Sequence, residues 1–425
     1  MKFFKPKTLT AFKNHTSKDY ISDIVAGVIV AIIALPLSIA LAIASGATPE
    51  QGLFTAIIAG FLTALLGGSK VNITGPTAAF ATIVAGIILT QGFDGLFLAT
   101  IMAGILLILM GLLRIGSLIK YIPHTITIGF TAGIAVTLVI GQLKDFFGLT
   151  YPDGATAIET MEKLTLVAEN ISTFNPWAFG IGVLGLAILV LWPKISKKIP
   201  ASLIAVIIGA LVCLIPVIKA NTIGSLYTIS SALPKFDFPE ITVQKIRALL
   251  PNAFTIALLA GIESLLSCVV SDKMIGDTHN SNTELIALGT SNILVGFFGG
   301  IPATGAIART AANVKNGGKS PLSGMVHAVV LLLVLVLLMP LASYVPMPII
   351  AAILFVVAYN MSEWREFVAV IKTKKWNDIL VLVLTFALTV IFDLVKAIVA
   401  GLALHYAIVL ARYIIAKRKA KKGEV

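Results

Sequence analysis

Charge is what this sequence has least of. Asp, Glu, Lys and Arg together make up 12% of its 425 residues, where a soluble domain carries about 25%. So few ionic groups cannot coat a globular exterior of this size, which excludes a water-soluble enzyme or adaptor. Cysteine is nearly absent. Cys213 and Cys268 both lie in or near apolar runs, where a thiol packs as a small hydrophobe, so neither a disulfide framework nor a zinc site is expected. His124, His279, His327 and His405 show no ligand spacing and read as core or interface residues. No Ser/Lys pairing, paired aspartates or His/Glu metal spacing falls at membrane depth, so neither enzymatic chemistry nor a cofactor is expected. The first 23 residues hold five lysines but no apolar core, which predicts no cleavable signal peptide.

Apolar surface is what the chain has in abundance, with 58% of its residues hydrophobic. Runs of roughly 17–25 such residues recur, each long enough to cross a hydrocarbon core of about 30 Å. They predict an all-α polytopic membrane protein of about fourteen segments, at 24–44, 51–67, 75–91, 96–113, 124–141, 176–192, 200–218, 250–268, 284–298, 303–314, 321–339, 347–360, 377–392 and 396–414. A short surface helix is predicted over 155–168 and a polar connection over 219–247. The net charge of +12 is concentrated at the chain ends and in short loops. The clusters are Arg114 with Lys120, Lys194 with Lys197 and Lys198, Lys315 with Lys319, Lys372 with Lys374 and Lys375, and a basic tail over 415–425. That distribution is the positive-inside signature of a membrane protein, not a nucleic-acid surface. An even number of segments returns both termini to the cytoplasm, with anionic lipid as the partner of the basic clusters.

Two of these apolar stretches are interrupted. "VNITGPTAAFATIV" (71–84) and "GGIPATGAIARTAANV" (299–314) place Asn, Thr, Gly and Pro where a membrane helix should run. Irregular backbone survives in hydrocarbon only when it is buried in protein or lines a cavity. Both stretches are therefore predicted to be extended at 71–76 and 301–305. Each then starts a short helix, with Pro76 in the first turn of one and the other running over 306–314. Two such segments in corresponding halves are the sequence mark of a transporter's binding site, and two helix N-termini favour a negatively charged ligand. Arg309 adds a cation one turn into the second helix, and intramembrane charge usually serves function. Glu263 is the only acid in its apolar run and needs a cation or arginine to hold its charge.

Three long blocks, 23–80, 271–285 and 297–324 ("FFGGIPATGAIARTAANVKNGGKSPLSG"), resemble the sulfate permease family, whose animal branch is solute carrier family 26. The likeness covers nearly the whole chain. It implies fourteen segments in two inverted seven-segment repeats, with half-helices in segments 3 and 10. A core domain (24–113 and 250–339) would move against a gate domain (124–218 and 347–414) between a cytoplasmic N-terminus (1–23) and the basic tail. The anion would lie between Thr77, Ala78 and Ala79 on one side and Gly305, Ala306, Ile307 and Arg309 on the other, with Leu37 and Leu41 as an apolar wall. Glu263 and Ser267 would bind the co-transported H+ or Na+. The expected activity is secondary active transport of sulfate, bicarbonate or a small dicarboxylate by an elevator-like movement; an uncoupled channel or exchanger and a nucleobase transporter are the alternatives. The resemblance places the protein in a bacterial inner membrane and raises homodimerisation. Relatives usually carry a soluble STAS domain after the last span, and this chain is expected to do without it.

Overall fold

The computed structural model of the chain describes residues 4–421 apart from 14, 117–122, 153, 154, 156, 158, 197, 198 and 393. Of the basic clusters, Lys120, Lys197, Lys198 and the tail from Lys422 onward lie outside the described residues. In chain order the helices are α1 (Thr8–Ala11), α2 (Ser17–Ala44), α3 (Pro49–Leu66), α4 (Ala81–Leu112), α5 (His124–Phe147), α6 (Thr160–Glu169), α7 (Pro176–Ile195), α8 (Ala201–Cys213), α9 (Ile223–Leu226), α10 (Val243–Ile275), α11 (Ser281–Phe297), α12 (Ile307–Lys315), α13 (Pro321–Leu338), α14 (Met347–Met361), α15 (Trp364–Lys372), α16 (Trp376–Ile391) and α17 (Leu394–Lys421). Two-residue strands β1 (Thr74–Gly75) and β2 (Thr304–Gly305) precede α4 and α12.

Local chemistry sets many of the helix ends. Thr16 caps α2 in a reciprocal box with Asp19. Pro49 opens α3, where its missing N–H costs nothing, and Gln51 reaches back to the Thr48 amide at 2.9 Å. Asn175 caps α7 ahead of Pro176, and Thr242 caps α10, which ends on left-handed Gly276. Among the described residues nine helical stretches are long and apolar enough to cross a membrane. The shorter apolar helices α8 and α16, the 17-residue α11 and the nine-residue α12 add four segments. The fourteenth comes from α4, which holds two segments joined at Gly92, whose φ of 69° only glycine adopts without strain. The two spans expected over 75–113 are thus continuous, with a break rather than a loop between them.

Three other expectations shift. The surface helix lies at α6 rather than 155–168. The polar connection ends at Thr242, because α10 continues through Pro251. An amphipathic helix, α15, follows α14 where no element was predicted; its sequence "WREFVAVIK" has no buried residue.

By their contacts the residues form two compact units, 1–119 with 142–150 and 171–354, and 120–141 with 151–170 and 355–425. This division groups 171–218 with the first unit, whereas the resemblance assigns 124–218 to a gate. In the first unit α4 lies along α11, α10 along α4, and α13 along α2 and α3. Small residues allow this closeness: a Cβ on Gly104 would lie 2.6 Å from the Gly289 carbonyl oxygen, and one on Gly289 2.5 Å from that of Gly104. In the second unit the start of α5 meets α16 in the same way, with Gly129 against Leu382 and Gly133 against Thr389. Large apolar side chains such as Val190, Leu211, Leu333 and Leu337 remain exposed on α7, α8 and α13, as an outer surface bathed in lipid requires.

Candidate functional site

The site lies within the first unit, where the two interrupted stretches meet. β1 and β2 pair antiparallel, Thr74 opposite Gly305 and Gly75 opposite Thr304, and the Ala306 amide adds a bond to the Ile73 carbonyl at 2.8 Å. Each broken segment thereby satisfies the backbone of the other, as irregular chain at membrane depth must. Side chains could not fit here: a Cβ on Gly75 would collide with Arg309 Nη1, and one on Gly305 would lie 2.9 Å from Ser264 Cα.

A helix starts from each strand. After Gly75, Pro76 is not helical, Thr77 is extended (φ −132°, ψ 160°), and the helix opens with a 3-10 turn at Ala78–Phe80 before α4. Pro76 is therefore not in the first helical turn, as the sequence had predicted; Thr77 takes the boundary because its extended backbone is what lets it meet α10. After Gly305, Ala306 is the boundary and α12 begins at Ile307. Neither Thr77 nor Ala306 caps its helix with a side chain, so among the described residues the first N–H groups of both helices lack a side-chain cap. Ala78 and Ala79 are buried, Thr77 and Ala306 half-buried, and Ile307 39% exposed.

Arg309 projects from the first turn of α12 and is 3% exposed. Its Nη2 donates to the Pro76 carbonyl at 2.9 Å, so the cation crosses from one broken segment to the other. Its Nη1 meets no protein acceptor among the described residues. Glu263, half-buried on α10, accepts from the Thr77 hydroxyl at 3.0 Å. A carboxylate on one element and a helix start on another are thus in direct contact. Leu37 is half-buried and Leu41 buried on α2, which packs against α12.

Ser267 belongs to a different neighbourhood from the Glu263 carboxylate. Its hydroxyl donates to Asn72 Oδ1 at 2.7 Å and lies 3.0 Å from Thr310 Oγ1. Thr310 also donates to Asn72 Oδ1 and accepts from the Ile73 amide. The Asn72 amide group donates to Glu284 Oε1 at 2.7 Å. Glu284 Oε2 accepts from the Gly68 and Ser69 amides at 2.8 and 3.1 Å. This fully buried network anchors the stretch before β1 to α10, α11 and α12. The sequence signal for Asn72 was its presence in a hydrophobic run, and Glu284 lay unremarked in a block that carried the resemblance.

Comparison with known proteins agrees with this architecture. A profile of the sulfate permease family matches residues 20–385. The chain is 44% identical over 404 residues to "Putative sulfate transporter YvdB" of Bacillus subtilis (strain 168), covering 94% of this chain and 76% of that protein. It is 32% identical over 393 residues to "Bicarbonate transporter BicA" of a Picosynechococcus species, covering 89% and 68%. Among solved structures, the transmembrane domain of a cyanobacterial bicarbonate transporter BicA matches with a TM-score of 0.81 at 29% identity, over 90% of this chain and 98% of that one. SLC26A9 matches with 0.86 at 21% identity, over 95% and 68%, a likeness of fold alone. The fold is the one with two inverted seven-segment repeats and half-helices in the third and tenth segments. With a family match across most of its length and helix starts paired at its centre, this chain is an integral membrane transporter of the sulfate permease family.

Proposed function

We propose that the protein is a secondary active transporter of a small oxyanion, with sulfate and bicarbonate as the leading substrates. The observation that carries this reading is the meeting of two uncapped helix starts beside a buried arginine. Both helix dipoles and the guanidinium favour negative charge over a neutral base. The relatives named as sulfate and bicarbonate transporters support the same substrate class.

Coupling is assigned to Glu263. Its hydrogen bond with Thr77 joins a carboxylate to the wall of the anion site, so H+ or Na+ on Glu263 and anion at the helix start each change the other's surroundings. Such linkage is reciprocal by necessity. Transport would proceed by an elevator-like shift of the unit that holds the site, with both termini cytoplasmic in a bacterial inner membrane. Uptake of labelled sulfate, bicarbonate and fumarate into proteoliposomes, under imposed pH and sodium gradients in turn, tests the proposal. Concentrative uptake of one oxyanion under one gradient is expected. Anion flux that never exceeds equilibrium under either gradient would make the protein an uncoupled channel.

A further inference from the structure

Among the described residues, six side chains of the first unit carry buried polar atoms without a protein partner, and two of them, Arg309 through Nη1 and His327 through both ring nitrogens, lie beside the paired strands. His327 is 0% exposed and Arg309 is 3% exposed. On α3, Gly60 has no side chain, and the imidazole from α13 occupies that place. A Cβ on Gly60 would lie 3.3 Å from His327 Nδ1 and 3.4 Å from the Thr74 carbonyl oxygen. One turn earlier on α3, Ala56 lies beside Gly75, and Arg309 Nη1 covers the open face of that glycine. The His327 imidazole and the Thr74 carbonyl thus lie against one edge of α3, and Arg309 Nη1 lies one turn along that edge.

Bare polar atoms in a closed interior are costly, and in native proteins they have partners. The donor and acceptor inventory identifies the partner. A neutral imidazole offers one N–H and one lone pair, and Arg309 Nη1 offers only donors. An anion would satisfy the donors but face the imidazole lone pair, and a metal cation would face the guanidinium. Water meets both demands, and it settles where several buried polar groups converge.

We propose that Arg309 and His327 share an internal water behind the paired strands, and that His327 acts through this water as the positioning residue of Arg309. The positioning role rests on the reading of Arg309 as an anion-binding group. The water restrains one nitrogen of the guanidinium while the Pro76 carbonyl holds the other, which fixes the plane of the cation toward the helix starts.

Two substitutions separate hydrogen bonding from shape. His327→Gln keeps a donor and an acceptor and loses the ring; His327→Phe keeps a ring and loses both nitrogens. Calorimetric titration with sodium sulfate and sodium bicarbonate is expected to give His327→Gln an affinity within about three-fold of the parent and His327→Phe one about ten-fold weaker. A ranking in which Gln is no better than Phe overturns the positioning role and makes His327 a packing residue. If His327→Phe does not fold, His327→Leu gives the comparison by removing both nitrogens at smaller volume; an affinity there no weaker than that of His327→Gln overturns the role equally. The water itself is read from an experimental structure of the parent protein that resolves ordered solvent. Density within hydrogen-bonding distance of both Arg309 Nη1 and a His327 ring nitrogen supports the site, and its absence overturns it. Density combined with unchanged anion affinity in Arg309→Gln would sink the anion role of Arg309 while leaving the water site standing.

Discussion

Arg309 and Glu284 are both buried ionisable residues of the first unit, and their partners divide them. Glu284 is fully provided for by the Gly68 and Ser69 amides and Asn72, so its role is to hold the backbone that leads into β1. Replacing Glu284 by Ala strands two buried N–H donors and is expected to destabilise the first unit by about 3 kcal/mol. Chemical denaturation in micelles would show this, and a variant as stable as the parent would remove Glu284 from that role. Among the described residues Arg309 meets a single protein acceptor, the Pro76 carbonyl, which leaves its charge uncompensated beside the helix starts. Arg309→Gln is expected to weaken anion binding by about 1.5–3 kcal/mol through loss of a charge-assisted bond. Titration of a folded variant with unchanged affinity would rule this out. Glu263→Gln removes charge while keeping shape: accumulation against a gradient should fail while exchange of internal for external anion survives. Concentrative uptake by that variant would move the coupling site elsewhere. Of these residues, Arg309 and Glu263 were legible because a lone charge in an apolar run is conspicuous. The roles of Asn72, Ser267 and Glu284 were not, because each depends on partners about 195–215 positions away.

At the scale of elements, Gly-Pro interruptions announced two half-helices, and both are present within a few residues of the expected places. That the two stretches pair with each other as strands could not be read from either one, since a two-residue ladder has no periodicity to detect. The 3-10 turn at Ala78–Phe80 packs its alanines tightly at the helix start. Ala78→Leu should abolish transport while expression and thermal midpoint stay near normal; full uptake activity would place the anion elsewhere. The contact between α4 and α11 makes the opposite demand. Gly289→Val forces a branched side chain onto the Gly104 carbonyl, and such overpacking is expected to cost at least about 1–3 kcal/mol. A thermal midpoint equal to the parent's would show that these helices can move apart freely.

Across the whole molecule, contacts between the chain's beginning and its second half hold the first unit closed. Asp277, in the turn between α10 and α11, accepts from Lys7 at 3.1 Å and Lys70 at 3.0 Å. Burial pushes its pKa up, but the Thr278 amide and the two ammonium groups outweigh that and bring it down to about 2. A carboxyl whose pKa is lower folded than unfolded stabilises above its unfolded value of about 3.9. That stability is lost as pH falls from about 4 towards 2. Asp277→Asn should therefore be less stable than the parent at neutral pH and indistinguishable from it near pH 2, by intrinsic fluorescence of unfolding. A difference that persists undiminished in acid would deny the carboxylate this role. The sequence by itself determined the solvent, the number of segments and the two places where helices break. Those follow from local hydrophobicity, charge scarcity and the backbone preferences of Gly and Pro, which act within a few residues. Only the tertiary structure decided that the breaks pair, that Arg309 reaches Pro76 and that Thr77 meets Glu263. Those bonds join residues about 186–233 positions apart, and their geometry is set by how helices of two halves pack rather than by any local pattern.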